Sequence, residues 1–294
     1  MNITIGIPAF NEEKNIGKVI ISLKKIVNDI IVCDDGSTDL TKEIAEGLGA
    51  KVISHKKNMG YGEAIKSIFN EAKKNETDIL VTFDADGQHR SEDIKNLTKP
   101  ILDQQAEMVI GSRFLKNETD MPNYRKIGIK VLTKVTNMSI KENLTDSQSG
   151  LRAYHKKVLQ NINLTDSGMG ISTEILIKSH QNKFRIIEVP IKILYGKDTS
   201  THNPISHGTS VLLSTIKYTS IQHPLKFYGI SGIVLLLVGL SFLLWTLQIY
   251  AEETRVVTNI ALIGIGTLIL GAILMISGIL LYSLVSVVRE NRNT

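Results

Sequence analysis

Three short stretches of the sequence gather side chains able to handle charged ligands: Pro8-Ala-Phe-Asn-Glu-Glu13, Asp34-Asp-Gly-Ser-Thr-Asp39 and Asp84-Ala-Asp-Gly-Gln-His89. Clustered carboxylates repel and are costly to hold together unless a cation or a hydrogen-bonding ligand shares the space. Asp84, Asp86 and Gln88 stand at alternate positions, so on an extended segment their three oxygen-bearing side chains face one way. Such donors suit a hard divalent ion, Mg2+ or Mn2+, with water and phosphate oxygens completing its shell. Each stretch taken singly has a plainer reading, with Ser37 and Asp39 as helix caps and Gly36 as a turn residue. No GxxxxGK[ST] loop is present and no GxGxxG follows the first apolar run, which counts against ATP and NAD chemistry.

The elements that must position these groups are legible as alternating periods. Apolar, β-branched runs at Ile3 to Ile7, Ile30 to Cys33, Lys51 to Ser54, Ile79 to Phe83 and Met108 to Ser112 predict buried strands. Helical periods lie between them at Ile16 to Ile26, Leu40 to Leu48, Gly62 to Lys73 and Ser91 to Leu102. Strand-helix alternation of this kind predicts an α/β domain with a mostly parallel sheet flanked by helices. Ligands bind such sheets at the carboxyl ends of the strands, which is where the three acidic stretches fall. The single Cys33 excludes an internal disulfide framework and reads as a core thiol.

The averages of the 294-residue chain, net charge +5 and 43% hydrophobic, conceal two materials. Residues 1 to 225 hold 30 of the 34 Lys and Arg and 26 of the 29 Asp and Glu. Phe227 to Tyr250 is 24 residues without a charge and Val256 to Val288 is 33 more. Each exceeds the roughly 20 residues that cross a bilayer as a helix. We therefore expect a domain over residues 1–207, an interfacial amphipathic helix over 208–225, and a hairpin of two transmembrane helices (227–250 and 259–288) within 226–294. The N-terminus lacks a basic head, so no signal peptide is expected. Lys-rich sequence before the first span, with Arg289 and Arg292 after the second, predicts that both flanks are cytoplasmic, in an integral protein of the cell membrane. Glycines in both spans suit close helix contact. The sequence calls no nucleic-acid partner and is compatible with a homo-oligomer.

Taken with Gly111-Ser-Arg113 and Asp146-Ser-Gln-Ser-Gly-Leu-Arg152, the three acidic stretches form an ordered series. The series resembles the family 2 glycosyltransferases of GT-A (Rossmann-like) fold, within them most closely the dolichyl-phosphate mannose synthase and polyprenyl-phosphate glycosyltransferase branch. The resemblance covers roughly residues 2 to 194. It implies a nucleotide-sugar donor, a divalent metal, inversion at the anomeric carbon, and a polyprenyl or dolichyl phosphate acceptor on the membrane. It also implies that Pro8, Phe10, Glu12, Val32 and Asp35 surround the nucleotide and that Asp84 and Ala85 lie against the donor. Asp86 and Gln88, with Asp84 beside them, would hold the metal. Arg113 would meet phosphate, and Arg125, with Lys126, the acceptor phosphate; Asp86, Arg113 and Arg125 form the expected catalytic set. The branch commonly closes over its donor with an arginine and a GxSK loop, whereas this chain reads Tyr195-Gly-Lys-Asp-Thr-Ser-Thr-His-Asn-Pro-Ile-Ser-His207. Lys197, His202 and His207 are the candidate replacement cations.

Breaking a sugar-phosphate bond leaves negative charge on a nucleoside diphosphate, which a metal stabilises as a Lewis acid. A sugar hydroxyl as nucleophile would need a carboxylate base, for which Asp146 and Glu174 are the candidates. A phosphate monoester is largely ionised at neutral pH and needs only to be held, a task suited to arginine. The membrane hairpin favours the lipid phosphate. The alternatives are transfer to a hydroxyl of a lipid-linked glycan or polysaccharide, and a non-catalytic membrane scaffold.

Overall fold

The computed structural model describes residues 1–115, 121–140, 142–193, 220 and 224–290. The chain divides into two compact units, Met1–Thr215 and Ile216–Thr294. The first contains strands β1 (Ile3–Ala9), β2 (Asp29–Asp34), β3 (Lys51–Ser54), β4 (Ile79–Thr82), β5 (Met108–Ser112), β6 (Arg152–His155) and β7 (Ile186–Pro190). Helices α1 (Ile16–Leu23), α2 (Thr41–Gly47), α3 (Tyr61–Lys74), α4 (Asp93–Leu102), α5 (Asn123–Ile140), α6 (Lys156–Asn161) and α7 (Ile171–Gln181) connect them. Every strand and helix expected in the first 112 residues is present, with ends shifted by a few residues.

The strands form one mixed sheet in the order β3-β2-β1-β4-β6-β5-β7. Neighbours pair in parallel except at β6, which runs antiparallel between β4 and β5. Such a reversal matters for the site. Arg152 at the start of β6 pairs with Thr82 at the end of β4, so the loop feeding β6 reaches the carboxyl end of the parallel strands. The core is apolar on both faces, as a doubly covered sheet requires. Ile5, Ile7, Val32, Val81 and Val109 are sealed against α1 and α4, and Gly6 lets Ile68 of α3 approach the other face.

In the second unit a π-helical turn, Leu225–Gly229, leads into α8 (Ile230–Glu253), and α9 (Thr258–Glu290) follows. Both helices are long and apolar enough to cross a membrane, and only 17% and 11% of their most apolar windows is buried within the protein. Glycines make the seam between them. A Cβ on Gly232 would lie 2.9 Å from the Gly271 carbonyl, and one on Gly239 2.9 Å from the Gly264 carbonyl. The seven-residue spacing on both helices keeps these contacts in register, and small residues at such a seam let backbones meet. Gly239→Leu should destabilise the hairpin by about 1–3 kcal/mol through overpacking. Gly266→Leu, with nothing within 4 Å of its added Cβ, should leave thermal unfolding of the detergent-solubilised chain unchanged. The expected interfacial helix over 208–225 falls almost wholly outside the described residues, as do Lys197, His202 and His207.

Candidate active site

The loops after β1 and β2 are zipped together by side chains. Asn11, held at φ 54°, donates its N–H to Ser37 Oγ at 2.9 Å and accepts from Thr38 N at 2.9 Å. Glu12 N donates to Thr41 Oγ1 at 2.7 Å and Glu13 N to Asp39 Oδ2 at 3.1 Å. Asp39 also accepts from Thr41 N at the start of α2, so it joins the two loops and meets the first turn of the helix, whereas Ser37, expected as a cap, joins the loops through Asn11 and Leu40 occupies the cap position. Gly36 turns the chain at φ +73°, and a Cβ there would strike the Lys57 backbone at 2.5 Å.

Asp35 is buried and accepts from Met59 N (3.0 Å), Gly60 N (2.8 Å) and His55 Nδ1 (2.6 Å). Its carboxylate thereby clamps the loop that leads into α3. His55 had no assigned role in the sequence reading. It stands between Asp35 and Ser67, whose Oγ is 2.9 Å from Nε2.

The segment after β4 forms the floor of the crevice. Asp84 Oδ2 accepts from His89 Nε2 at 3.0 Å, and His89 Nδ1 is buried with no hydrogen-bond partner among the described residues. Burial would raise the Asp84 pKa, but the His89 hydrogen bond and the neighbouring His89, Arg113 and Arg152 outweigh it and hold the carboxyl below its ordinary value. Asp86 behaves oppositely. Burial, then Asp84, and to a smaller extent Glu12, push it up to about 6, although its Oδ1 accepts from Gln88 N at 2.9 Å. Burial is the larger cause, and the Asp84 carboxylate beside it adds to the cost of charging Asp86. Among the described residues no three His, Cys, Asp or Glu side chains converge as a preformed metal site. Asp86, Gln88 and Asp84 thus offer a partial oxygen shell, of the kind a divalent ion completes with phosphate and water. The segment is not extended as the alternate spacing of Asp84, Asp86 and Gln88 led us to expect: it turns through Ala85 and Asp86 and at Gly87, φ 72°, so local turn geometry sets the placement of these side chains.

Above this floor the loop before β6 is tied down by two arginines. Arg113 grips the fully buried Asp146 through Nε to Oδ2 at 2.6 Å and Nη2 to Oδ1 at 2.7 Å. Asp146 N in turn donates to Glu188 Oε1 at 2.8 Å, and Thr145 N to Glu188 Oε2 at 2.7 Å. Arg152, only 1% exposed, donates to the carbonyls of Ser147, Ser149 and Ser172 at 2.6–2.8 Å. This fork shapes the turn that delivers Gly150 to Asp84, so closely that a Cβ on Gly150 would sit 2.7 Å from Asp84 Oδ2.

Several expected site residues lie elsewhere than the crevice surface. Val32 is 0% exposed and Ala85 4%, both within the apolar core, so they support the site from beneath. Pro8 is buried in β1, while Phe10 is exposed and Glu12 half-buried, with Oε2 accepting from Asn15 at 2.9 Å. Arg125 and Lys126 are half-buried in the first turn of α5, where both N–H groups donate to the Pro122 carbonyl. Neither carboxylate named as a base is placed to act as one. Asp146 is bound by Arg113, and Glu174, 0% exposed on α7, accepts from Thr165, Asp166 and Lys178. A buried carboxylate is costly unless it is paired and hydrogen-bonded, and sequence spacing does not reveal which partners it finds.

A model of the family described as Glycosyl transferase family 2 matches residues 4–162. The UDP-N-acetylglucosamine--dolichyl-phosphate N-acetylglucosaminyltransferase of Methanococcus voltae is 37% identical over 230 residues, 70% of this chain and 89% of that one. The dolichyl-phosphate hexose transferase of Haloferax volcanii is 28% identical over 218 residues, covering 74% and 93%. Among solved structures, glucosyl-3-phosphoglycerate synthase from Mycobacterium tuberculosis, in complex with Mn2+, UDP-glucose and phosphoglyceric acid, superposes with a TM-score of 0.59 at 21% identity, over 74% of this chain and 80% of that one. That last likeness concerns the fold. Because the family match runs from β1 to α6 through every acidic strand end of the crevice, the chain is a glycosyltransferase of GT-A fold and belongs to glycosyl transferase family 2.

Proposed function

We propose that the protein is a metal-dependent, inverting transferase that moves one hexose-type sugar from a nucleotide sugar to dolichyl or another polyprenyl phosphate. The observation that carries this reading is the commitment of Asp146 and Glu174 to the fold, which leaves neither candidate base for a sugar hydroxyl. A phosphate oxygen needs no base. It attacks the anomeric carbon as the bond to the donor diphosphate breaks, and the configuration inverts. The relatives named above support the acceptor class, and their sugars differ, so GDP-mannose, UDP-glucose and UDP-N-acetylglucosamine are the donors to compare.

In this reading Asp86 and Gln88 hold the divalent ion, which supplies charge neutralisation to the departing diphosphate. Asp84, oriented by His89, faces the donor, Glu12 bounds the nucleotide side, and the buried Asp35 shapes that side by clamping the loop into α3. Arg113, held by Asp146, offers positive potential to phosphate, and Arg125 with Lys126 receives the acceptor headgroup. The two apolar helices anchor the enzyme in the cell membrane, with the transferase domain and C-terminus on the cytoplasmic side, where charged nucleotide sugars are available without crossing the bilayer.

The test is a screen of labelled nucleotide sugars with purified full-length protein, polyprenyl phosphate and Mg2+ or Mn2+. Label should enter the organic phase as an acid-labile glycosyl phosphate, and an alkali-stable product or none overturns the reading. Gly150→Ala should lower kcat about 10²-fold, since its Cβ displaces Asp84 by a fraction of a bond length from a donor it must position. Circular dichroism of that variant should match the parent.

A further inference from the structure

Tyr61 opens α3 between two glycines that have no room for a side chain. A Cβ on Gly60, at φ +99°, would lie 2.7 Å from the Ser167 carbonyl oxygen, and one on Gly62 2.5 Å from the Ser167 carbonyl carbon. The 166–168 loop therefore seats directly on backbone at both sides of Tyr61, and Gly62 N donates to Ser167 O at 3.0 Å. Glu174 holds that loop through Thr165 N and Asp166 N. So braced, the half-buried Tyr61 lines a small cleft with Thr82 of β4, Gly150 and Arg152 at the entry to β6, and Ile171 and Ser172 at the start of α7. Polar groups around it are spent on the fold: Thr82 Oγ1 donates to the Gly150 carbonyl at 2.7 Å, and Arg152 donates to three carbonyls. The Tyr61 hydroxyl has no hydrogen-bond partner among the described residues. Desolvation, and next the Asp84 charge, raise its pKa well above the ordinary tyrosine value, so it stays a neutral donor.

We infer that Tyr61 reads the transferred sugar, its O–H donating to one hydroxyl of that sugar. The inference deepens the proposed function and rests on the part of it in which Asp84 and Asp86 face the donor diphosphate. A nucleotide sugar runs nucleoside, diphosphate, sugar, and strand order fixes its direction in the crevice. Glu12 and Asp35 follow β1 and β2, on one side of β4, and β6 lies on the other. With the nucleoside toward β1 and β2 and the diphosphate at the end of β4, the sugar extends toward β6. The Tyr61 cleft is on that side, where Gly150 stands against Asp84. A sugar that offers no oxygen to Tyr61 leaves the hydroxyl unpaired in a desolvated place, which is how such a group discriminates between substrates.

The test is calorimetry on the detergent-solubilised full-length chain with Mn2+. UDP and GDP are titrated, then GDP-mannose, UDP-glucose and UDP-N-acetylglucosamine, then monodeoxy forms of whichever nucleotide sugar binds tightest. Tyr61→Phe should weaken that nucleotide sugar about three- to tenfold, the usual effect of one neutral hydrogen bond, and leave its free nucleoside diphosphate unchanged. One deoxy sugar should lose the same factor against the parent and bind the variant as well as the intact sugar does, the non-additivity expected of groups in contact. Circular dichroism should match the parent, because the hydroxyl bonds nothing in the fold. Unchanged affinity for the nucleotide sugar, an equal loss for the free nucleoside diphosphate, additive losses with every deoxy sugar, or an unfolded variant overturns the inference. A parent that binds no nucleotide sugar overturns it together with the proposed function. A parent that binds one and transfers nothing to polyprenyl phosphate overturns the acceptor reading alone.

Discussion

Asp86→Ala should abolish most sugar transfer while leaving the domain folded. The loss expected for removing a group that stabilises charge developing on the leaving diphosphate is about 10²–10³-fold in kcat. Calorimetry should show that metal-dependent binding of a nucleoside diphosphate goes with it. Stability should hold or rise, because Asp86 is the residue whose charge the fold opposes, through burial and through Asp84. Few active-site substitutions are expected to separate activity from stability so cleanly. A variant with unchanged turnover would remove Asp86 from the chemistry, and a variant that unfolds would show its carboxylate to be structural.

Asp146 makes the opposite case. If it served as a base, Asp146→Asn would depress kcat, flatten the acidic limb of the pH profile and leave the fold intact. In the structure it is instead the anchor of Arg113, with Thr145 and Asp146 hung from Glu188 behind it. Asp146→Ala therefore should cost about 3–5 kcal/mol in denaturant unfolding, the usual effect of stranding one partner of a buried ion pair. Turnover should fall with a raised donor KM and an unchanged pH profile, since what is lost is the placement of Arg113. Arg113→Lys keeps the charge without the paired hydrogen bonds and should fall between parent and Asp146→Ala in both measurements. Restoration of parental stability in Arg113→Lys would show that charge alone suffices.

The contrast between these two aspartates marks what could be read from residues and what could not. Short-range periodicity and the polar strand ends were enough to locate the α/β alternation, the acidic crevice and the apolar quarter of the chain. Each depends on local repeats of two or 3.6 residues, or on continuous runs, and these survive without knowledge of neighbours. The antiparallel entry of β6 was not legible, because Arg152 to His155 is too short to reveal its direction. Yet that reversal is what brings Gly150 to Asp84. Val32 lay in a run read as a buried strand although the resemblance set it and Ala85 beside the donor, and the packed sheet seals both, while Arg152, His55 and His89 gained roles only through partners distant in space or through burial.

The amino-acid sequence by itself determined the kind of protein: an acidic, oxygen-rich crevice at the ends of parallel strands, joined to a membrane-length hydrophobic tail. Tertiary structure decided which carboxylates are free to meet a ligand and which are spent on holding loops. The physical reason is that a buried charge must be paired, and its partner is chosen by topology, here by one reversed strand, and not by distance along the chain.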